Sequence, residues 1–324
     1  MRAVVVERLV EPKDLRVTDT PEPELFAGSL AVDVKAAGCN FFDILMVQGR
    51  YQMKPPFPFV PGAELAGVVS AVGSGVDGFR IGDRILASVS LGAFAERAVV
   101  PARVAWRMPD GMSFEEGAGF PIVYPTSHAA LVLRAHLAAG ESLLVHAAAG
   151  GVGLAAVQIG KALGARVIAT AGGPDKLAIA REAGADVCID YRADDWPEQV
   201  KAATQGRGAD VIYDSVGGDV LDQSLKCIAW NGRLLVIGFA SGRIPEIKAN
   251  RILLKNIAVV GLHWGAYASN EPARVPEVFD ALFRMYEAGT IRPVVGARYP
   301  LERVADALEA LGSRRTHGKV VVVP

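Results

Sequence analysis

The sequence predicts an α/β protein of two domains, a partly open antiparallel β-barrel followed by a doubly wound parallel sheet of six strands. Three observations predict it. Up to about residue 120, short β-rich runs are separated by turn clusters rich in Gly and Pro. From Ser142 onward, apolar runs alternate with segments of helical periodicity. Between Ser142 and Ala171 the order is apolar run, glycine turn, helix, apolar run, which is a complete βαβ unit.

In the first region the strand candidates are Met1–Val6, Leu30–Ala36, Ala66–Val72, Arg84–Ala87 and Ala95–Val100. Pro21–Pro23, Pro55–Pro61 and Gly73–Gly78 punctuate them. The opening residues carry charge at Glu7 and Arg8 and read as a strand that starts at once, not as a basic-then-apolar leader. Phe114–Leu137 is mostly helical in pattern and leads into the second domain.

The βαβ unit opens with Leu143, Leu144 and Val145, then turns through Ala148-Ala149-Gly150-Gly151-Val152-Gly153. Leu154, Val157, Ile159 and Leu163 fall at helical spacing, Gly164 closes the helix, and Val167-Ile168 starts the next strand. Gly150 lets the backbone turn and approach a pyrophosphate, and Gly153 lets the helix pack against the strand. The free N–H groups of the helix start suit phosphate oxygens. The turn therefore points to a dinucleotide.

The remaining strand candidates are Val187–Asp190, Val211–Asp214, Leu234–Gly238 and Ile257–Leu262. Amphipathic helices follow near Ala273–Ala288 and Leu301–Leu311, then a last strand, Lys319–Val323. That strand comes too late for a six-stranded sheet and is expected to return to the first domain. The expected division is 1–122 with 266–324, and 123–265.

A chain of 324 residues, 51% hydrophobic, can bury two cores. No run reaches the roughly eighteen uninterrupted apolar residues of a membrane span. The net charge of −1, without a long basic run, argues against nucleic-acid or membrane-surface partners. Cys39, Cys188 and Cys227 form no paired spacing, which suits a reducing cytoplasm and no structural zinc.

An NAD-preferring sheet places a carboxylate at the end of its second strand to hold the ribose 2′-OH. Ala171 stands there instead, and Lys176 supplies a cation for a 2′-phosphate. Asp175 lies several residues late and is expected to cap a helix over Lys176–Ala183. The expected cofactor is NADPH.

The glycine turn, with PGAELAG at 61–67, GDRI at 82–85, YDSVGG at 213–218 and GKVVVVP at 318–324, resembles one family along essentially the whole chain. It is similar to the zinc-independent quinone oxidoreductases of the medium-chain dehydrogenase/reductase superfamily, the group that includes zeta-crystallin. The resemblance implies a GroES-like catalytic domain and a Rossmann domain. In the superfamily's zinc alcohol dehydrogenases a cysteine follows two residues after a glycine, and a histidine stands in a Gly-His-Glu motif. Here Asn40 and Ala63 occupy those positions, and Cys39 falls one residue early. The four-cysteine structural-zinc lobe is absent. Zinc needs three or four ligands at fixed geometry, so no metal is expected. Without a Lewis acid, the acceptors that remain reachable are conjugated ones, quinones and α,β-unsaturated carbonyls.

Carried over by position, the resemblance implies pyrophosphate binding by Gly150, Gly151, Val152 and Gly153. It implies 2′-phosphate contacts from Lys176, Tyr191 and, more loosely, Arg314. Asn40 and Thr126 match residues lining the nicotinamide, Tyr51 and Tyr124 match cleft tyrosines, and Phe239 joins the cofactor set. Tyr51 matches the proton donor of related enoyl thioester reductases, although a packed turn aromatic suits that position too. Gly261–Trp264 departs from some relatives. His146, inside a strand, is expected to be a buried structural residue, and Glu64 and Asp43 structural partners. The leading expectation is an NADPH-dependent quinone reductase. The alternatives are an enoyl thioester or 2-alkenal reductase, and a catalytically weak NADPH-binding structural or sensor protein. The resemblance also implies a homodimer through the sixth strand.

Overall fold

The computed structural model describes all 324 residues and divides into two units, Met1–Ile122 with Pro293–Pro324, and Val123–Arg292. The first seven strands are β1 Arg2–Val4, β2 Val17–Asp19, β3 Ser29–Cys39, β4 Glu64–Val72, β5 Arg84–Ser88, β6 Arg97–Pro101 and β7 Ala105–Arg107. The second unit contributes β8 Ser142–Val145, β9 Arg166–Ala171, β10 Val187–Asp190, β11 Ala209–Asp214, β12 Ile228–Val236 and β13 Ala258–Gly261. Then β14 Val295–Pro300 and β15 Lys319–Val323 return to the first.

In the first unit, a sheet runs β14-β15-β3-β4-β5-β7, and β6 also pairs with β3. All its pairings are antiparallel except β14 on β15. Alternation along β3 sends Leu30, Val32 and Val34 into a core shared with Leu65, Val69, Ile85, Phe94 and Val100. The last strand pairs Val320 with Cys39 and Val321 with Gly38, so the C-terminal segment lies against the end of β3. β14 has no counterpart in the sequence pattern. Gly296, Arg298 and Pro300 interrupt it and it is only partly buried, so no apolar alternation marks it.

The second unit carries the six parallel strands that the sequence predicts, in the order β10-β9-β8-β11-β12-β13. Leu143, Leu144 and Val145 are fully buried, as expected where helices cover both faces. The chain winds outward from β8 in one direction, then resumes at β11 on its other side. The end of β8 is therefore the switch point where such sheets bind ligands. The boundary expected at residue 266 falls instead at 292/293. The helix Arg274–Glu287 packs on the helix Val123–His128 and buries Val278, Phe279 and Leu282, which keeps it with the sheet. The segment Phe114–Leu137, read as mostly helical, is built of Phe114–Ala118, Val123–His128 and a π-helical turn, Ala129–Arg134. No helix is long and apolar enough to cross a membrane.

Candidate functional site

In the second unit the glycine turn follows β8, and the helix Gly151–Ala162 begins with Gly150 as its N-cap. A Cβ added at Gly153 would lie 2.3 Å from the carbonyl oxygen of Ala147, so only glycine allows the helix to seat there. At Gly150 the nearest atom would be 3.3 Å away, which leaves the turn less crowded. Ala147 itself adopts φ 49°, a left-handed conformation uncommon for a residue with a side chain. The first-turn N–H groups of this twelve-residue helix have no intrahelical acceptors, and they suit a pyrophosphate.

The end of β9 is the next part of the site. Ala171 ends the strand and is buried. Gly173, at φ 91°, caps the helix Pro174–Glu182, so the cap is this glycine and not Asp175, which sits inside the first turn. Lys176 is half-buried on that turn. Tyr191, which is exposed, overhangs the turn, since a Cβ on Gly172 would meet its hydroxyl at 2.9 Å.

Two residues that the sequence reading did not single out complete this corner. Asp190, at the end of β10, accepts from Arg192 Nε at 2.9 Å, from the Arg192 backbone at 3.0 Å and from the Gly173 backbone at 3.2 Å. The guanidinium pulls the Asp190 carboxyl down to about 2. Arg192 thereby neutralises the Asp190 carboxylate beside the turn and sets a second cation near Lys176's helix. The Asp-x-Arg spacing was the available signal, but spacing alone does not tell a local ion pair from two solvated charges.

His146 meets its expectation as a structural residue. Its Nδ1 is 2.8 Å from Thr170 Oγ1, its Nε2 is 2.8 Å from Ser224 Oγ, and burial pushes its pKa down to about 3. Tyr124 departs from the expected placement in a cleft. It is 2% exposed, and its hydroxyl donates to Gln158 Oε1 at 2.7 Å. Thr126 is half-buried on the same short helix, and Phe239 is exposed beyond β12, beside Gly217.

In the first unit, Asn40 ends the strand-to-helix junction between β3 and the helix Phe41–Val47, with Asp43 accepting from its backbone N–H at 2.7 Å. Its carboxamide is held at both ends. Nδ2 donates to Glu64 Oε1 at 2.8 Å, and Oδ1 accepts from Lys319 Nζ at 2.8 Å. Lys319 also donates to Glu64 Oε1 at 2.7 Å and to the Cys39 carbonyl at 2.9 Å. Glu64 Oε2 accepts from the Ile122 backbone at 3.1 Å. Every hydrogen of the ammonium and both carboxylate oxygens of Glu64 are therefore bonded. Burial raises Asp43 to about 7 and pushes the Cys39 thiol up as well. The sequence reading named Asn40, Glu64 and Asp43 but not Lys319.

Tyr51 stacks on Phe42 with ring centroids 5.3 Å apart and is half-buried against the core. Partial burial, then the charge of Asp43, raises its hydroxyl pKa, so it stays protonated at neutral pH. Arg314 lies in the first unit, exposed and at φ 57°, just past the helix Val304–Gly312. A cavity of about 430 Å³ opens near it, lined by Tyr299, Arg303, Asp306, Arg315 and His317 among others.

Residues 27–110 match the model described as an alcohol dehydrogenase GroES-like domain, and residues 151–284 match that described as a zinc-binding dehydrogenase. The chain is 42% identical over 99% of its length to a quinone oxidoreductase-like protein 2 homolog of Nematostella vectensis, covering 88% of it. It is 37% identical to a quinone oxidoreductase of Pseudomonas aeruginosa, over 97% of this chain and 96% of the other. The solved quinone oxidoreductase of Escherichia coli, complexed with NADPH, superposes with a TM-score of 0.92 at 32% identity, covering 100% of both chains.

Proposed function

Because the chain belongs to the quinone oxidoreductase family of the medium-chain dehydrogenase/reductase superfamily, and is an enzyme of that type, we propose that it reduces quinones or similar conjugated carbonyls with NADPH and without zinc. NADPH supplies a hydride when bound; the quinone takes it up with one proton from solvent or a side-chain hydroxyl, yielding NADP⁺ and hydroquinone.

The residues fit this cofactor. Gly153 seats the helix whose free N–H groups suit the pyrophosphate. At the end of β10 the Asp190 carboxylate is paired with Arg192, while Lys176, Tyr191 and Arg192 offer two cations and a hydroxyl for the 2′-phosphate. Arg314 is a further contact in this reading. Thr126 and Phe239 line the nicotinamide side, and Tyr124 supports them from within the packing.

The observation that carries the acceptor class is the pair Asn40 and Ala63. Neither supplies a thiolate or imidazole, and Asn40 is bonded to Glu64 and Lys319. A cation added there meets an ammonium already in place. Only acceptors that delocalise the incoming charge themselves suit such a site. The test is a panel of 1,4-benzoquinone, an enal and an enoyl thioester with NADPH and with NADH, before and after chelator. Quinone turnover preferring NADPH and indifferent to chelator is expected; turnover that needs added zinc defeats the reading.

One observation favours a second reading. Tyr51 keeps its proton at neutral pH, as the proton donor of an enoyl reductase must. Tyr51→Phe should leave quinone turnover within about twofold and, on this second reading, lower enoyl turnover by roughly a hundredfold.

We also place the protein in solution as a homodimer. β13 pairs on one side only, leaving an open sheet edge, and Leu253 and Leu254 on the preceding helix are 78% and 72% exposed. Light scattering at micromolar concentration should give twice the chain mass. The three thiols are unpaired, which suits the cytoplasm.

A further inference from the structure

A buried ion pair is an expensive feature. Desolvation of both charges offsets much of their attraction, and an apolar pair of similar volume is often as stable. Lys319 and Glu64 are nevertheless 4% and 0% exposed. The chain is also shaped to admit them. A Cβ on Gly38 would lie 2.4 Å from Glu64 Oε1, and one on Gly119 would lie 3.0 Å from Lys319 Cγ. Glycine thus flanks the pair on two sides.

What the pair does to Asn40 follows from donor chemistry alone. An ammonium only donates and an ionised carboxylate only accepts. The Asn40 carboxamide touches one of each, so a single orientation satisfies both, with Oδ1 on Lys319 and Nδ2 on Glu64. One Nδ2 hydrogen is thereby taken, and no second protein partner of Nδ2 exists. Asn40 is 7% exposed, whereas Glu64 and Asp43 are not exposed at all. The remaining N–H is the cluster's one side-chain donor without a protein acceptor.

We infer that Lys319 is a positioning residue for the reaction: with Glu64 it locks the Asn40 carboxamide so that its second N–H faces the acceptor oxygen on which negative charge develops. The lock stands where zinc enzymes of the superfamily use a metal ion, and it supplies a fixed dipole in its place. It rests on the reaction proposed above.

The test uses the full-length enzyme with NADPH and 1,4-benzoquinone. Lys319→Met alone strands a buried carboxylate, so the informative variant is the neutral pair Lys319→Met/Glu64→Gln. It should bind NADPH within about twofold of wild type, keep KM within about threefold and lose roughly 10- to 100-fold in kcat. Combined with Asn40→Leu it should lose nothing further, because both changes remove one donor. A folded neutral pair with kcat near wild type, or losses that multiply with Asn40→Leu, overturns the inference. Selective ¹⁵N-asparagine labelling of the wild type gives a readout that needs no Lys319 variant. The Asn40 side-chain signals, assigned by their loss in Asn40→Leu, should show one N–H protected from exchange, and the other should shift when hydroquinone is added to NADP⁺-saturated enzyme. Two N–H groups that exchange alike overturn it as well. A wild type inert toward NADPH and benzoquinone would instead defeat the underlying reaction.

Discussion

Tyr124 donates its hydroxyl to Gln158 Oε1, and that same oxygen accepts the backbone N–H of Arg292 at 2.9 Å while Gln158 Nε2 donates to the Arg292 carbonyl at 2.9 Å. One buried glutamine thus ties the helix after Ile122 to the last residue of the second unit. A hydroxyl held in this way braces its unit. Tyr124→Phe should lower stability by about 1 kcal/mol, because Gln158 keeps its bonds to Arg292. Melting should fall by a few degrees, with kcat/KM for benzoquinone within about twofold of wild type. A tenfold loss of kcat at unchanged melting temperature would make Tyr124 a participant in the chemistry.

The glycine turn separates folding from binding at two positions. Gly153→Ala drives a methyl onto the Ala147 carbonyl, a backbone atom that cannot move aside. It should destabilise by about 3 kcal/mol or prevent accumulation of folded protein. Gly150→Ala meets only a 3.3 Å contact and should fold. Because Gly150 is where the proposed pyrophosphate approaches the backbone, NADPH affinity should drop by roughly tenfold. Thermal melts and fluorescence titration distinguish the two, and equal effects on both measurements would refute the division of roles.

How much of this could be read from the chain depended on how local the physics was. The βαβ unit was legible because Leu143–Val145, the glycines and Leu154–Leu163 write strand, turn and helix in consecutive residues. The return of β15 was legible from strand counting. β14 was not, because Gly296 and Arg298 break any apolar pattern and its partner lies beyond a helix. Asn40 was found by its position relative to Gly38. Lys319 was not found, because it meets Glu64 from 255 residues away and a lysine opening a final strand looks like an edge charge. Propensity points to Asp175 as the helix cap, yet Pro174 already occupies the first turn and Gly173 takes the cap at φ 91°.

Arg192 should control the choice between cofactors. Its removal in Arg192→Ala exposes the Asp190 carboxylate to the region of Lys176 and takes away one cation. KM for NADPH should rise about tenfold, equivalent to ~1.4 kcal/mol, with KM for NADH nearly unchanged. Adding Asp190→Asn to that variant should restore part of the NADPH affinity by removing the uncovered charge. The preference for NADPH in the wild type should also weaken as salt is raised. Unchanged selectivity in Arg192→Ala would remove this residue from the 2′-phosphate site.

His146 and Asp43 carry pH signatures of opposite sign. Burial holds His146 near 3, against about 6.5 in an unfolded chain. As pH falls below 6.5, the unfolded state takes up a proton that the native state refuses. The contribution of His146 is therefore complete above 6.5 and is lost as pH drops toward 3, by about 2 kcal/mol between pH 6.5 and 5. Asp43 is raised to about 7 by desolvation, and one of its oxygens has no partner. Here the native state takes up the proton first, so the contribution is complete below about 4 and is lost as pH rises through 7. Urea unfolding at pH 8 and pH 5 reads both. The stability gap between wild type and His146→Gln should shrink at pH 5, whereas wild type should gain on Asp43→Asn over the same interval. Gaps that stay constant with pH would mean that neither group differs in proton affinity between the folded and unfolded states.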